Sequence, residues 1–139
     1  MRSRHVLAVA AGVTACLAGC SSPQPALGGT TATVTIDGEA VNGAHPVRCQ
    51  QTGWAWHIET PGDGEGFSAV LESGGPVSAK SVQFRDFGGF TGSFWFDNVG
   101  EAEASGENGR YTITGTADGN FSDRPGEAVS AQFRIQADC

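Results

Sequence analysis

The chain has 139 residues, a formal net charge of −7 and an isoelectric point near 4.7. A surface this acidic repels nucleic acid, whose binders carry basic patches, and it repels anionic lipid headgroups as well. The length suits one domain, which can bury somewhat over ~60% of its unfolded surface in a single core.

The first element is not part of that domain. Arg2 and Arg4 precede an apolar run over residues 6–17 that contains no acid, and the small residues Ala18 and Gly19 follow. Positive charge, apolar core and small residues in this order describe an export signal. The run falls well short of the roughly 20 apolar residues that span a bilayer. Leu17-Ala18-Gly19-Cys20 has the form of a bacterial lipobox, which predicts cleavage before Cys20 and a diacylglyceryl group on its thiol. Two or more acyl chains hold a protein durably on a membrane, where one does so only marginally. The expected organisation is a removed leader over residues 1–19, an acylated Cys20 with a tether to residue 32, and a single domain over residues 33–139. All 15 acidic residues lie beyond the cut while Arg2 and Arg4 are lost, so the mature chain is more acidic than the whole.

Residues 21–30 are polar and punctuated by Pro and Gly, the composition of a spacer. Ser21, Ser22, Thr30 and Thr31 offer hydroxyls for sugars. After the predicted cut, leucine is represented only by Leu27 and Leu71, and Val, Ile, Thr, Phe and Trp supply the apolar content, which favours strands. The 21 glycines are roughly twice ordinary usage and fall between the apolar segments.

Residues 33–36 alternate polar and apolar and end in Asp37-Gly38, a hairpin-type turn. Residues 47–49 follow Pro46 and read as a short edge segment. Trp54, Trp56 and Ile58 share one strand face, with Ala55, His57 and Glu59 on the other. Phe67, Ala69 and Leu71 point one way, although residues 67–72 also allow a single helical turn. Val82 and Phe84 share a face, as do Phe94 and Phe96, with Trp95 turned away from them. Ala102 and Ala104 alternate with Glu101 and Glu103, and Glu107-Asn108-Gly109 turns the chain into Tyr111, Ile113 and Gly115. The last strand is the most regular: Ala131, Phe133, Ile135 and Ala137 inward, Gln132, Arg134, Gln136 and Asp138 outward. Strict alternation marks an antiparallel sheet wet on one side. The expected fold is all-β, a small antiparallel sandwich or partly open barrel of about eight short strands.

Of the four cysteines, Cys16 belongs to the leader and Cys20 to acylation. Cys49 and Cys139 remain as a pair in an oxidising compartment, where a disulfide is the ordinary outcome. A two-cysteine metal site is the alternative, and no His stands at finger-like spacing from either.

Catalytic constellations are sparse. His57 shares a face with Glu59, which would orient an imidazole, but no Gly-x-Ser-x-Gly nucleophile turn is present. Asp118-Gly119-Asn120-Phe121-Ser122-Asp123 opens like a calcium loop, yet its sixth position is Asp123 where Gly is needed and its twelfth is Val129 where Glu is needed. Glu101, Glu103 and Glu107 read as a solvated strand face. Asn120-Phe121-Ser122 has the form of a glycosylation sequon. The aromatic residues most simply fill a leucine-poor core. Phe90 and Trp95 fit that role least well and are the candidate lining of a groove for an acyl chain or glycan.

The order of motifs resembles the mycobacterial 19 kDa lipoprotein antigen family. It is carried by residues 34–38, Val-Thr-Ile-Asp-Gly, then Val47-Arg48-Cys49 and residues 67–71, Phe-Ser-Ala-Val-Leu. Lys80-Ser81-Val82, residues 111–119 and Phe133-Arg134-Ile135 running on to Cys139 complete it. The resemblance implies a triacylated lipoprotein of the cell envelope without enzymatic activity or cofactor, held by acyl chains on Cys20 and recognised by a host receptor, Toll-like receptor 2. It also implies a bridge between Cys49 and Cys139. The tether here is shorter and poorer in Thr than the family's glycosylated stalk, and the aromatic set is heavier. A lipid or glycolipid carrier is the alternative function, and a hydrolase built on His57 and Glu59 a third.

Overall fold

Period-two alternation of buried apolar and exposed side chains runs through the central strands of the computed structural model, which describes residues 30–139. The leader, Cys20 and the tether up to residue 29 lie outside the described residues. The described elements are ten strands: β1 (Thr31–Ile36), β2 (Glu39–Pro46), β3 (Arg48–Thr52), β4 (Ala55–Glu59), β5 (Gly66–Glu72), β6 (Ser78–Phe87), β7 (Phe90–Trp95), β8 (Glu101–Glu107), β9 (Arg110–Phe121) and β10 (Val129–Asp138). All pairings are antiparallel, in the order β2-β1-β10-β9-β7-β6-β5-β4-β3, with β8 also on β9. The result is a nearly closed barrel, in agreement with the expected class.

Two changes of partner shape it. Strand β9 is long enough to serve two neighbours on one edge: residues 110–116 pair with β8 and residues 118–121 with β7. The other is at Val47, where the chain leaves β1 and joins β4. Up to Pro46 it pairs with β1, and from Arg48 it pairs with β4. Val47 is buried; its N–H donates to the Thr30 carbonyl at 3.1 Å, and its own carbonyl accepts from the Thr30 hydroxyl. One continuous stretch of chain therefore belongs to both ends of the sheet. Two residues on, Cys49 is bonded to Cys139, with Cα atoms 5.8 Å apart, which fastens β3 to the end of β10 and excludes the metal alternative for this pair.

The core is aromatic. Phe67, Phe84 and Phe90 are fully buried with Ile58, Leu71, Ile113 and Ile135. Phe84 is the hub, its ring centroid 5.4 Å from that of Phe133 and 5.9 Å from that of Phe90. Thr60 is the buried polar residue among the described ones, and it is satisfied: its hydroxyl accepts from the Phe67 N–H at 3.0 Å. The alternation expected for β10 is observed residue by residue. Asp37 and Gly38 both adopt positive φ, 50° and 82°, as a tight hairpin turn between twisted strands requires.

The structure departs from the expectations in three places and decides between two readings in a fourth. Ten strands form instead of about eight: the edge segment read at residues 47–49 is observed as β3, and β2 is the strand missed, an exposed edge with only Val41 buried and so without the apolar alternation that betrays a strand. Thr31 and Ala32, assigned to the tether, open β1. Residues 67–72 follow the strand reading and not the alternative helical turn, with Phe67, Ala69 and Leu71 all buried. Trp54 and Phe96 sit just outside the strands that were to bury them and are exposed by 68% and 51%.

Closing a loop of 90 residues contributes ~4–5 kcal/mol in the chain-entropy model. Replacing Cys49 and Cys139 together by Ala should lower the denaturant midpoint strongly, and reduction of the wild-type chain should reproduce the shift. Coincident unfolding curves with and without reductant would show that the bridge does not stabilise the fold.

Candidate functional site

The sequence offered three groupings of chemistry-bearing side chains, and the structure places each of them. His57 and Glu59 do project from the same face of β4, but the Glu59 carboxylate is engaged across the strand pair by Arg48, at 3.3 Å. His57 is exposed, opposite Gln50 on β3 and Val70 on β5, with no hydroxyl nucleophile among these cross-strand neighbours. His45, the other described histidine, bonds through Nε2 to the Val41 carbonyl, its ring 4.8 Å from that of Phe87.

The segment that opens like a calcium loop is not a loop. Residues 118–121 are extended in β9, and the Asp118 carboxylate accepts from the Ser130 hydroxyl on β10. Asp123 lies 3.8 Å from the Arg124 guanidinium. Among the described residues, no three His, Cys, Asp or Glu side chains are placed to hold a metal ion. Glu101 and Glu103 alternate outward along β8, whose edge away from β9 has no strand partner, and Glu107 closes the same strand.

The candidate groove of Phe90 and Trp95 is corrected. The two are five positions apart on one strand, so they point to opposite sides of the sheet. Phe90 is fully buried, whereas Trp95 is 53% exposed. What draws Phe90 inward is the glycine two residues on: a Cβ at Gly92 would lie 2.4 Å from the Phe90 ring. The ring fills the space that Gly92 leaves empty and meets Phe121 at 5.1 Å. The carrier reading thereby loses one of the two residues on which it was built.

What does gather lies at one end of the sheet β3-β4-β5-β6-β7, and the sequence reading did not foresee it. Trp54 stands in the β3–β4 turn, and its carbonyl accepts from the Ser73 N–H at 2.8 Å and the Ser73 hydroxyl at 3.0 Å. Its ring covers Gly74, where a Cβ would approach to 3.0 Å. On the other side of the β5–β6 connection, the Phe96 N–H donates to the Lys80 carbonyl at 3.0 Å. The Lys80 ammonium sits 4.4 Å from the Phe96 ring centroid and 3.3 Å from the Glu72 carboxylate. Phe96 also flanks a hollow of about 320 Å³ in the seam between the start of β6 and β8, lined by Val77, Ala79, Ala102 and Ala104. The signals missed were positional. Trp54 follows the turn residue Gly53 and Phe96 follows the last residue of β7, so neither is held by a ladder on both sides.

This arrangement offers apolar surface and no assembled acid, base or nucleophile. Similarity to known proteins points the same way. Residues 25–139 match the model of the Mycobacterium 19 kDa lipoprotein antigen family. A chain of Mycobacterium avium subsp. hominissuis that carries a provisional lipoprotein name is 38% identical over 99% of this chain and 95% of its own length. "Probable lipoprotein LppE" of Mycobacterium tuberculosis is 36% identical over 96% of this chain and 91% of its own. "Lipoprotein LpqH" of Mycobacterium avium is 36% identical over 76% of this chain and 66% of its own. The chain belongs to the Mycobacterium 19 kDa lipoprotein antigen family.

If His57 and Glu59 are surface residues only, Glu59→Gln should cost about 1 kcal/mol or less, the range of exposed ion pairs, and His57→Ala should leave the denaturation midpoint in place. Hydrolysis of ester and glycoside substrates should stay at the buffer rate for the wild type and both variants. Wild-type turnover that His57→Ala abolishes would reinstate a catalytic role for the pair.

Proposed function

We propose that this chain is a lipid-anchored lipoprotein of the cell envelope, processed before Cys20, acylated on that residue, and held outside the membrane by the acyl chains. Its β domain acts as a non-enzymatic surface module, and its acylated N-terminus is the part that Toll-like receptor 2 recognises. The observation that carries the reading is the lipobox at residues 17–20, standing before a domain of a lipoprotein antigen family. The relatives that match nearly the whole chain bear lipoprotein names, which supports anchoring and envelope location.

The physical logic is a division of labour. Acyl chains provide attachment at about 0.8 kcal/mol per buried methylene, so the folded domain needs no electrostatic attraction to the surface. The processed chain, more acidic than the −7 of the whole once Arg2 and Arg4 are removed, would otherwise be repelled by anionic lipid. The domain is closed by a disulfide, which suits an oxidising compartment beyond the cytoplasm.

Intact-mass analysis of the native product should give a chain beginning at Cys20 and carrying a diacylglyceryl adduct, partitioning into detergent. The Cys20→Ala variant should lack the adduct and fail to activate reporter cells expressing Toll-like receptor 2. A free thiol at Cys20, or a leader still attached, would overturn the proposal.

A further inference from the structure

We infer that the end of the domain carrying Trp54, Trp95 and Phe96 is the face turned toward the lipid surface, with the β3–β4 turn at the interface. The inference rests on the acyl-anchor reading and adds an orientation to it. Trp54, Trp95 and Phe96 are the large apolar side chains that the described residues leave exposed, by 68%, 53% and 51%. They are not scattered. Trp54 precedes β4, the 73–77 connection follows β5, Lys80 lies near the start of β6, Trp95 ends β7 and Phe96 follows it. In an antiparallel sheet those positions share one end.

The tether enters at that same end. Thr30 is fixed to Val47 by hydrogen bonds, and beyond Val47 the same strand runs on, away from the Asp37-Gly38 turn, to Thr52 and the turn that bears Trp54. The chain from Cys20 to Thr30 spans at most roughly 35 Å when fully extended, so the domain is held close to whatever surface Cys20 occupies.

Charge is distributed along the same axis. Residues 50–55 and 73–79 carry no ionisable side chain. The turns at the opposite end carry Asp37, Glu39, Asp63, Glu65, Asp86, Asp123 and Glu127, relieved by Arg85 and Arg124. Near the aromatic end the charged groups are the paired Lys80 and Glu72, Asp97 after Phe96, the β8 glutamates on one flank, and the Arg110–Asp138 pair where β9 and β10 meet β1. Indole rings favour the headgroup level, where an apolar body and an N–H donor are both accommodated. The Trp54 turn and the 73–79 segment beside it, which carry no ionisable side chain, are the parts that meet such a layer first. The occupant is therefore a lipid surface of low net charge.

The test uses the acylated protein in phosphatidylcholine vesicles with and without brominated acyl chains, and reads tryptophan emission. Trp54→Phe, Trp95→Phe and the double variant separate the exposed indoles from Trp56, which packs against Tyr111 at 5.6 Å. Brominated lipid should quench the wild type and blue-shifted emission should accompany binding; the double variant should lose most of the quenching while still floating with vesicles. Vesicle-bound wild-type protein with unquenched emission would overturn the orientation and leave the anchor intact, including the case where Trp54 is shielded by a protein partner instead. Protein that neither floats nor carries an acyl adduct would overturn the anchor, and the orientation with it.

Discussion

The fold depends on one stretch of chain being shared by both ends of a sheet. Laid flat in its pairing order, the sheet would end in two open edges, β2 and β3, each with unpaired N–H and C=O groups. Here those two edges are one strand interrupted at Val47, so the sheet curls until its ends meet in the same polypeptide. Full closure is the most complete remedy for exposed edges. The Cys49–Cys139 bond lies two residues past the changeover and joins it to the last residue of the chain. It holds together segments that no local hydrogen bond would keep in register, because 90 residues separate them.

Once the sheet is curled, its interior must be filled, and this chain does so with Phe in place of Leu. Planar rings need neighbours that yield room, and the small residues supply it. Phe90 lies over Gly92, and Gly92 pairs with Gly119, where a Cβ would come within 2.0 Å of the Thr91 carbonyl oxygen. The close approach of β7 to β9 and the burial of Phe90 are thus one event. Rings at 5–7 Å with tilted or edge-on geometry add to the burial itself. The pairs of Phe84 with Phe133, Phe90 and Phe67 tie β6 to β10, β7 and β5.

Much of this was legible in the sequence wherever a strand has one wet and one dry side. Ala131, Phe133, Ile135 and Ala137 on β10, the Asp37-Gly38 turn and the pairing of Cys49 with Cys139 all follow from spacing or from simple chemistry. Strand β2 was not legible, since an edge that buries little besides Val41 has no reason to alternate. Nor were the fates of Trp54 and Phe96. Parity along a strand says which side a residue faces, but not whether the strand has ended before it reaches that residue. Phe90 shows a different limit: it was judged by its own character, whereas its burial was decided by the missing side chain at Gly92. The exposed aromatic end is a consequence of strand termini, and so it required the structure.

Placed on a membrane, this asymmetry has a physical effect beyond the contact itself. Strand β10 has ten residues, and at about 3.4 Å per residue it measures roughly 34 Å. Screening in physiological salt extends about 8 Å. With the aromatic end down, the acidic turns at the other end stand several screening lengths from the lipid and feel almost none of its potential. Tipping the domain onto its side would bring Asp63, Glu65 or Asp123 within reach of any anionic headgroup and remove Trp54 from the interface. Attraction at one end and repulsion from the other then oppose the same motion. On the proposed anchoring, an acyl tether at Cys20 would set only the distance of the domain from the surface, and the distribution of side chains over its two ends would select which way it faces.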